Sequence, residues 1–171
     1  MKTLFVSACA MWVALAAELA SPRLLPHGSV LLPIVCGVMF WTRSTPGLIL
    51  CGLVLLLDWI ARPSYLPLCP MALPFLAVIF LAPSVQNDEY QSHKSSLKIP
   101  TPLQLPLLTL AAVVLQTIGS LNWAQLSAPA DAVTEITETM KSPLLLALPL
   151  SAMLSLLIRM ADELGMRRSY S

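Results

Sequence analysis

The sequence predicts an all-α membrane protein of six short transmembrane helices, and three observations point to it. First, the chain is 57% hydrophobic and only 11% charged, with a mean hydropathy of +0.77. Soluble domains carry roughly 25% charged residues, so a chain this poor in charge cannot cover its own surface with solvated groups. Second, the charges divide the 171 residues into six apolar runs inside what reads as one integral membrane domain. Third, lysine and arginine are distributed unevenly over the segments between those runs, as they are in multi-pass membrane proteins.

The first run, 4–20, lies between Lys2 and Arg23 and carries Glu18 near its end. The second, 24–42, ends in Phe40 and Trp41 before Arg43. The third, 46–61, is Pro-Gly-initiated and holds Asp58 close to its far end, with Arg62 just beyond. The fourth, 65–83, has Pro67, Pro70 and Pro74 in its first half; the fifth is 103–121 and the sixth 143–160. A spanning helix needs roughly 20 apolar residues, and about 17 can suffice. Several runs sit at that lower limit, and runs two and three are the least secure crossings, since a close helical hairpin need not cross fully. Fifteen prolines would suggest loops in water. In a membrane bundle they are tolerated at helix starts and kinks, where neighbouring helices satisfy the freed backbone groups.

Two longer polar segments separate the later runs. Residues 84–101 include Asp88, Glu89, His93, Lys94 and Lys98; residues 122–142 include Asp131, Glu135, Glu138 and Lys141, with a short surface helix expected over 131–140. With the N-terminus cytoplasmic and six crossings, Lys2, Arg43, Lys94, Lys98, Arg159, Arg167 and Arg168 lie inside, against Arg23, Arg62 and Lys141 outside, a bias of seven to three. Both termini are therefore expected in the cytoplasm. Trp41, Trp59, Tyr65 and Trp123 fall near helix ends, as interfacial aromatics do. Lys2, the apolar stretch after it and Ala14-Leu15-Ala16 also imitate a cleavable signal peptide. Glu18 and a single lysine make a poor one, so residues 1–16 are expected to be retained.

Neither a catalytic motif nor a cofactor motif emerges: there is no H-E-x-x-H, phosphate loop or carboxylate cluster for a metal. The near-neutral charge, without a basic cluster, argues against nucleic acid as a partner. Cys9, Cys36, Cys51 and Cys69 lie in apolar runs without metal-ligand spacing and read as buried, inert thiols. His27 and His93 read as solvated loop side chains. Asp58 stands out, because an acid in a membrane segment is costly and marks a functional site by default. Its i, i+4 spacing to Arg62 puts carboxylate and guanidinium on one helix face, which favours the reading of a paired, partly hydrated helix end. Glu18, with Arg23 a few residues on, has the same reading. Gly47 and Gly52 are candidates for close helix packing. Gln104, Thr109, Gln116 and Thr117 could bond across helices or line a cavity.

The stretch from Pro46-Gly47-Leu48 through Gly52-Leu53-Val54-Leu55-Leu56-Leu57-Asp58-Trp59, continuing to Pro67-Leu68 and Ala72-Leu73, resembles the rod shape-determining protein MreD family. The proline-bearing connection 21–28 falls at the matching place, and the resemblance covers residues 1–82 best. The turn after Asp58, Arg62-Pro63-Ser64-Tyr65-Leu66-Pro67-Leu68, departs from the family in lacking glycine. The resemblance implies a non-enzymatic subunit of the cell-elongation machinery in a bacterial inner membrane, acting with MreC-like and other membrane partners in peptidoglycan synthesis and binding no cofactor. It also implies the six-helix fold of the substrate-binding subunits of energy-coupling-factor transporters. A vitamin-type carrier subunit is accordingly the alternative.

Overall fold

Proline and charge set where the helices begin and end. A computed structural model describes residues 2–21, 24–42, 45–62, 66–85, 101–121 and 129–164. Among them the chain is all-helical, with six helices and no strand: α1 (Lys2–Ala20), α2 (Leu31–Thr42), α3 (Thr45–Ala61), α4 (Leu68–Val85), α5 (Thr101–Ser120) and α6 (Pro129–Glu163). The helical class and the number of helices agree with the sequence reading. Pro33, Pro46, Pro70, Pro102 and Pro129 each sit in the first turn of a helix. There the missing N–H is one that has no intrahelical acceptor anyway. Arg23, Arg43, Tyr65, Trp123, Arg167, Arg168 and the charged residues of 86–100 lie outside the described residues.

Two helices depart from expectation. The second begins at Leu31 rather than at 24 and has only twelve residues. Residues before it form turns: the Leu24 and Leu25 amides donate to the Ser21 carbonyl and Ser29 N–H to the Pro26 carbonyl, while Gly28 takes φ +81°. Pro26 disfavours helix at the residue before it, and the left-handed glycine turns the chain into α2. The sixth helix, by contrast, absorbs the short surface helix expected over 131–140 and runs unbroken for 35 residues through Pro143 and Pro149. Its first half is rich in helix-compatible residues and has a Glu138–Lys141 pair one turn apart. A proline there removes one backbone bond without ending the helix.

At the centre lies α2, which packs against all five other helices and buries nine of its residues, from Leu31 to Phe40. On one side of it, α1 and α3 present matching inward stripes. In α1 the buried positions are Ser7, Met11, Ala14, Leu15 and Glu18; in α3 they are Gly47, Cys51, Val54, Leu55 and Asp58. Each set recurs at i, i+4, i+7, i+8 and i+11, one face of a 3.6-residue helix. The two helices run in the same direction: Cys51 Sγ lies 3.8 Å from Met11 Sδ, and both stripes end in an acid at the helix C-terminus. On the other side, α6 lays the small residues Ala147, Ser151 and Ser155 against α5 and α2, the kind of stripe that lets apolar helices approach closely.

Much of the outer surface of the described residues is apolar. Phe5, Val13, Ile49, Leu53, Phe75 and Leu145 are each more than half exposed, whereas Glu18, Thr109 and Ser151 are fully buried. Two stretches, Leu103–Ser120 and Val133–Ala161, are long and apolar enough to cross a membrane; Leu4–Ala20, Leu31–Thr42, Thr45–Ala61 and Leu68–Ile79 are apolar but shorter. At about 1.5 Å per residue, α2 reaches only about 18 Å, well short of the roughly 30 Å of a bilayer's hydrocarbon.

Candidate functional site: a buried polar cluster at one end of the bundle

The C-terminal ends of α1, α3 and α5 meet the 24–30 turn and the start of α4, and the buried charges gather there. Glu18, in the last turn of α1, is fully buried and faces the turn that leads into α2. Its Oε1 accepts hydrogen bonds from the Val30 and Leu31 amides at 2.7 and 2.8 Å, and its Oε2 accepts one from the Gly28 amide at 3.0 Å. The first amides of a helix have no acceptor within it and carry the positive end of the helix dipole. A carboxylate from α1 therefore serves as the N-terminal cap of α2. Glycine at position 28 is dictated by its positive φ, and a β-carbon there would also crowd the side-chain ends of Gln116 and Leu32, at 2.5 Å from Oε1 and 2.9 Å from Cδ1.

Arg62 joins this cap to the acid of α3. Its Nη2 lies 3.3 Å from Glu18 Oε2 and 3.1 Å from Asp58 Oδ1, so one nitrogen is shared between two carboxylates. The remaining oxygen of Asp58 accepts from His27 Nε2 at 2.7 Å. The result is a chain of four side chains, Glu18–Arg62–Asp58–His27, that ties α1, the 24–30 turn and α3 together. His27 and Arg62 keep about a third and a quarter of their side chains exposed (32% and 23%), whereas the acids are closed off. Beside the cluster, Leu66 N–H donates to the Gly119 carbonyl at 3.0 Å and joins the lead into α4 to the end of α5. A β-carbon on Gly119 would sit 2.6 Å from Leu66 O.

The candidate residues named from the sequence fall unevenly. Asp58 and Arg62 are in the cluster, but Arg62 reaches Glu18 as well, and the Arg23 partner expected for Glu18 lies outside the described residues. His27, read as solvated, is instead bonded to Asp58. Gly47 is buried in the α3 stripe. Gly52 is not at a close approach: a β-carbon there would meet nothing within 4 Å, because position 52 faces away from that stripe. Cys36, Cys51 and Cys69 are buried, but Cys9 is exposed on the outward face of α1. Thr109 and Thr117 donate to carbonyls one turn back in their own helix, those of Leu105 and Val113.

His27, Leu55, Asp58, Arg62, Cys69 and Gln116 line a cleft beside the cluster whose cavity measures about 20 Å³. A single water needs roughly 10–15 Å³ on the same measure. Among the described residues, no three histidine, cysteine, aspartate or glutamate side chains are grouped so as to hold a metal ion. No family model, curated protein or solved structure matches this chain.

Proposed function

We infer that this chain is a six-crossing, non-enzymatic scaffold subunit of a bacterial inner membrane, similar to MreD and acting in the cell-elongation machinery that governs peptidoglycan synthesis and cell shape. The observation that carries this reading is how the buried charges are used. Glu18 caps α2 and holds Arg62; Asp58 holds Arg62 and His27. Each charge links one piece of this chain to another, which is the chemistry of a rigid body that presents surfaces to partners such as an MreC-like protein. The resemblance over 46–73, centred on Asp58, supports the same assignment. The cleft beside the cluster, at about 20 Å³, is too small to be a vitamin carrier's ligand site, since such pockets measure roughly 300–1,000 Å³.

Membrane embedding accounts for the inverted distribution of polarity, with large apolar side chains outside and Glu18, Asp58, Thr109, Ser151 and Ser155 inside. Lipid solvates the former, and the bundle must satisfy the latter. It also accounts for how a helix as short as α2 and its non-helical lead can lie at membrane depth. Irregular backbone is tolerated there when protein groups satisfy its amides, and Glu18 does so for three of them. In the orientation with cytoplasmic termini, the polar cluster lies at the outer face and Arg159 near the inner one.

Depletion in the host should give rounded or swollen cells with mislocalised wall synthesis. Normal shape combined with lost uptake of one vitamin would sink the scaffold reading. In a cysteine-free background, a thiol at Ser95 should resist an impermeant external reagent and one at Thr134 should react; the reverse pattern contradicts the orientation.

A further inference from the structure

The amide of Gln116 lines the cluster but takes part in none of these links. Both of its ends, Oε1 and Nε2, are buried without a hydrogen-bond partner among the described residues, and so is Nε of Arg62. An unsatisfied buried amide is costly, and here an acceptor and donors are stranded along the same cleft. That cleft is lined by Gln116 and Arg62 together with His27 and Asp58, and its cavity of about 20 Å³ is the size of a single water site. Gln116 Oε1 occupies the space that a side chain at position 28 would fill.

We propose that this cleft is a binding site for one structural water molecule, which joins Gln116 of α5 to the Arg62–Asp58 cluster of α3. The guest must donate and accept at once, since the cleft offers the Gln116 oxygen and Asp58 as acceptors and the Gln116 NH2 and Arg62 Nε–H as donors. Water does both in the space available, and buried waters typically make about three such bonds. A metal cation suits the site less well: it would use only the oxygens, leave both N–H groups stranded and face the Arg62 guanidinium. With the water bound, the polar network extends from α1 through α3 to α5, so the outer end of the bundle is tied across three helices and the 24–30 turn. The site stands on this geometry whichever cellular role the protein has.

The test is a density map of the full chain in detergent or nanodisc at a resolution that shows ordered water, paired with thermal unfolding of Gln116→Leu. A peak at about 2.7–3.2 Å from the Gln116 amide and from a second polar atom of the cleft is the expected result. Loss of that peak in Gln116→Leu should lower the unfolding midpoint by several degrees, because Arg62 loses its bridge. A peak at about 2.3–2.6 Å from oxygens alone would mark a bound cation and overturn the proposal. So would a cleft without a peak in which Gln116 turns to a protein partner, or a Gln116→Leu variant as stable as the parent or more so.

Discussion

α1 and α3 carry the same inward stripe forty residues apart, Ser7 to Glu18 against Gly47 to Asp58, but their terminal acids are held in different ways. Glu18 spends its oxygens on three backbone amides and receives Arg62 as a fourth partner. Among the described residues Asp58 binds side chains alone, Arg62 and the one-third-exposed His27. Backbone amides cannot move away without unwinding the helix they start, whereas side chains can find other partners or water. The first acid is therefore part of the fold of α2. The second is a tie between surfaces that are already formed.

That contrast ranks the consequences of mutation. Glu18→Ala should be the most damaging change, since it strands three amides and one face of Arg62 in a buried site. Removing one partner of a buried charge pair costs about 3–5 kcal/mol, and folded yield in detergent should fall to a small fraction of the parent's. Recovery of normal yield would show that α2 does not depend on its cap from α1. Gly28→Ala comes next, at about 1–3 kcal/mol for a strained backbone, with the crowding against Gln116 added; an unchanged unfolding midpoint would contradict the turn geometry.

Asp58→Asn should be milder, because asparagine still fits His27 and Arg62 retains Glu18. Combining it with Arg62→Gln sharpens the comparison. The double change should cost less than the two single losses added together, since residues in one network couple by about 0.5–3 kcal/mol. Strict additivity would mean that the Asp58–Arg62 tie contributes nothing. Gly52→Ala should be the least consequential of all, within about 0.5 kcal/mol, as its β-carbon meets no atom within 4 Å. A large loss there would relocate the packing face of α3.

How much of this was legible beforehand differs between the same elements. Helix number and most helix ends could be read because charges and first-turn prolines punctuate an otherwise apolar chain. The inward faces could not be read from apolar periodicity, since large apolar side chains such as Phe5, Val13, Ile49 and Leu53 cover the outside of α1 and α3 as fully as the inside is covered. In such helices the polar residues carry the signal. Ser7 and Glu18, eleven residues apart, mark the buried face of α1, just as an isolated acid in an apolar run demands an internal partner. The late start of α2 had a local signal too, Pro26-His27-Gly28. Its apolar flanks masked the turn, and the acceptor that stabilises it comes from another helix. Gly52 misled because a glycine in an apolar helix suggests close packing wherever it points. The reach of α6 was obscured by Pro143, which suggested a break where the helix continues.

The central claim is that the acid of α1 holds the fold while that of α3 only ties it, and the most direct test is thermal unfolding of Glu18→Gln beside Asp58→Asn in the same detergent. Both changes remove one charge and almost no volume. The account predicts that Glu18→Gln unfolds at a clearly lower temperature than Asp58→Asn, because glutamine has one oxygen where two are needed for three amides. Equal midpoints, or a lower midpoint for Asp58→Asn, would contradict it.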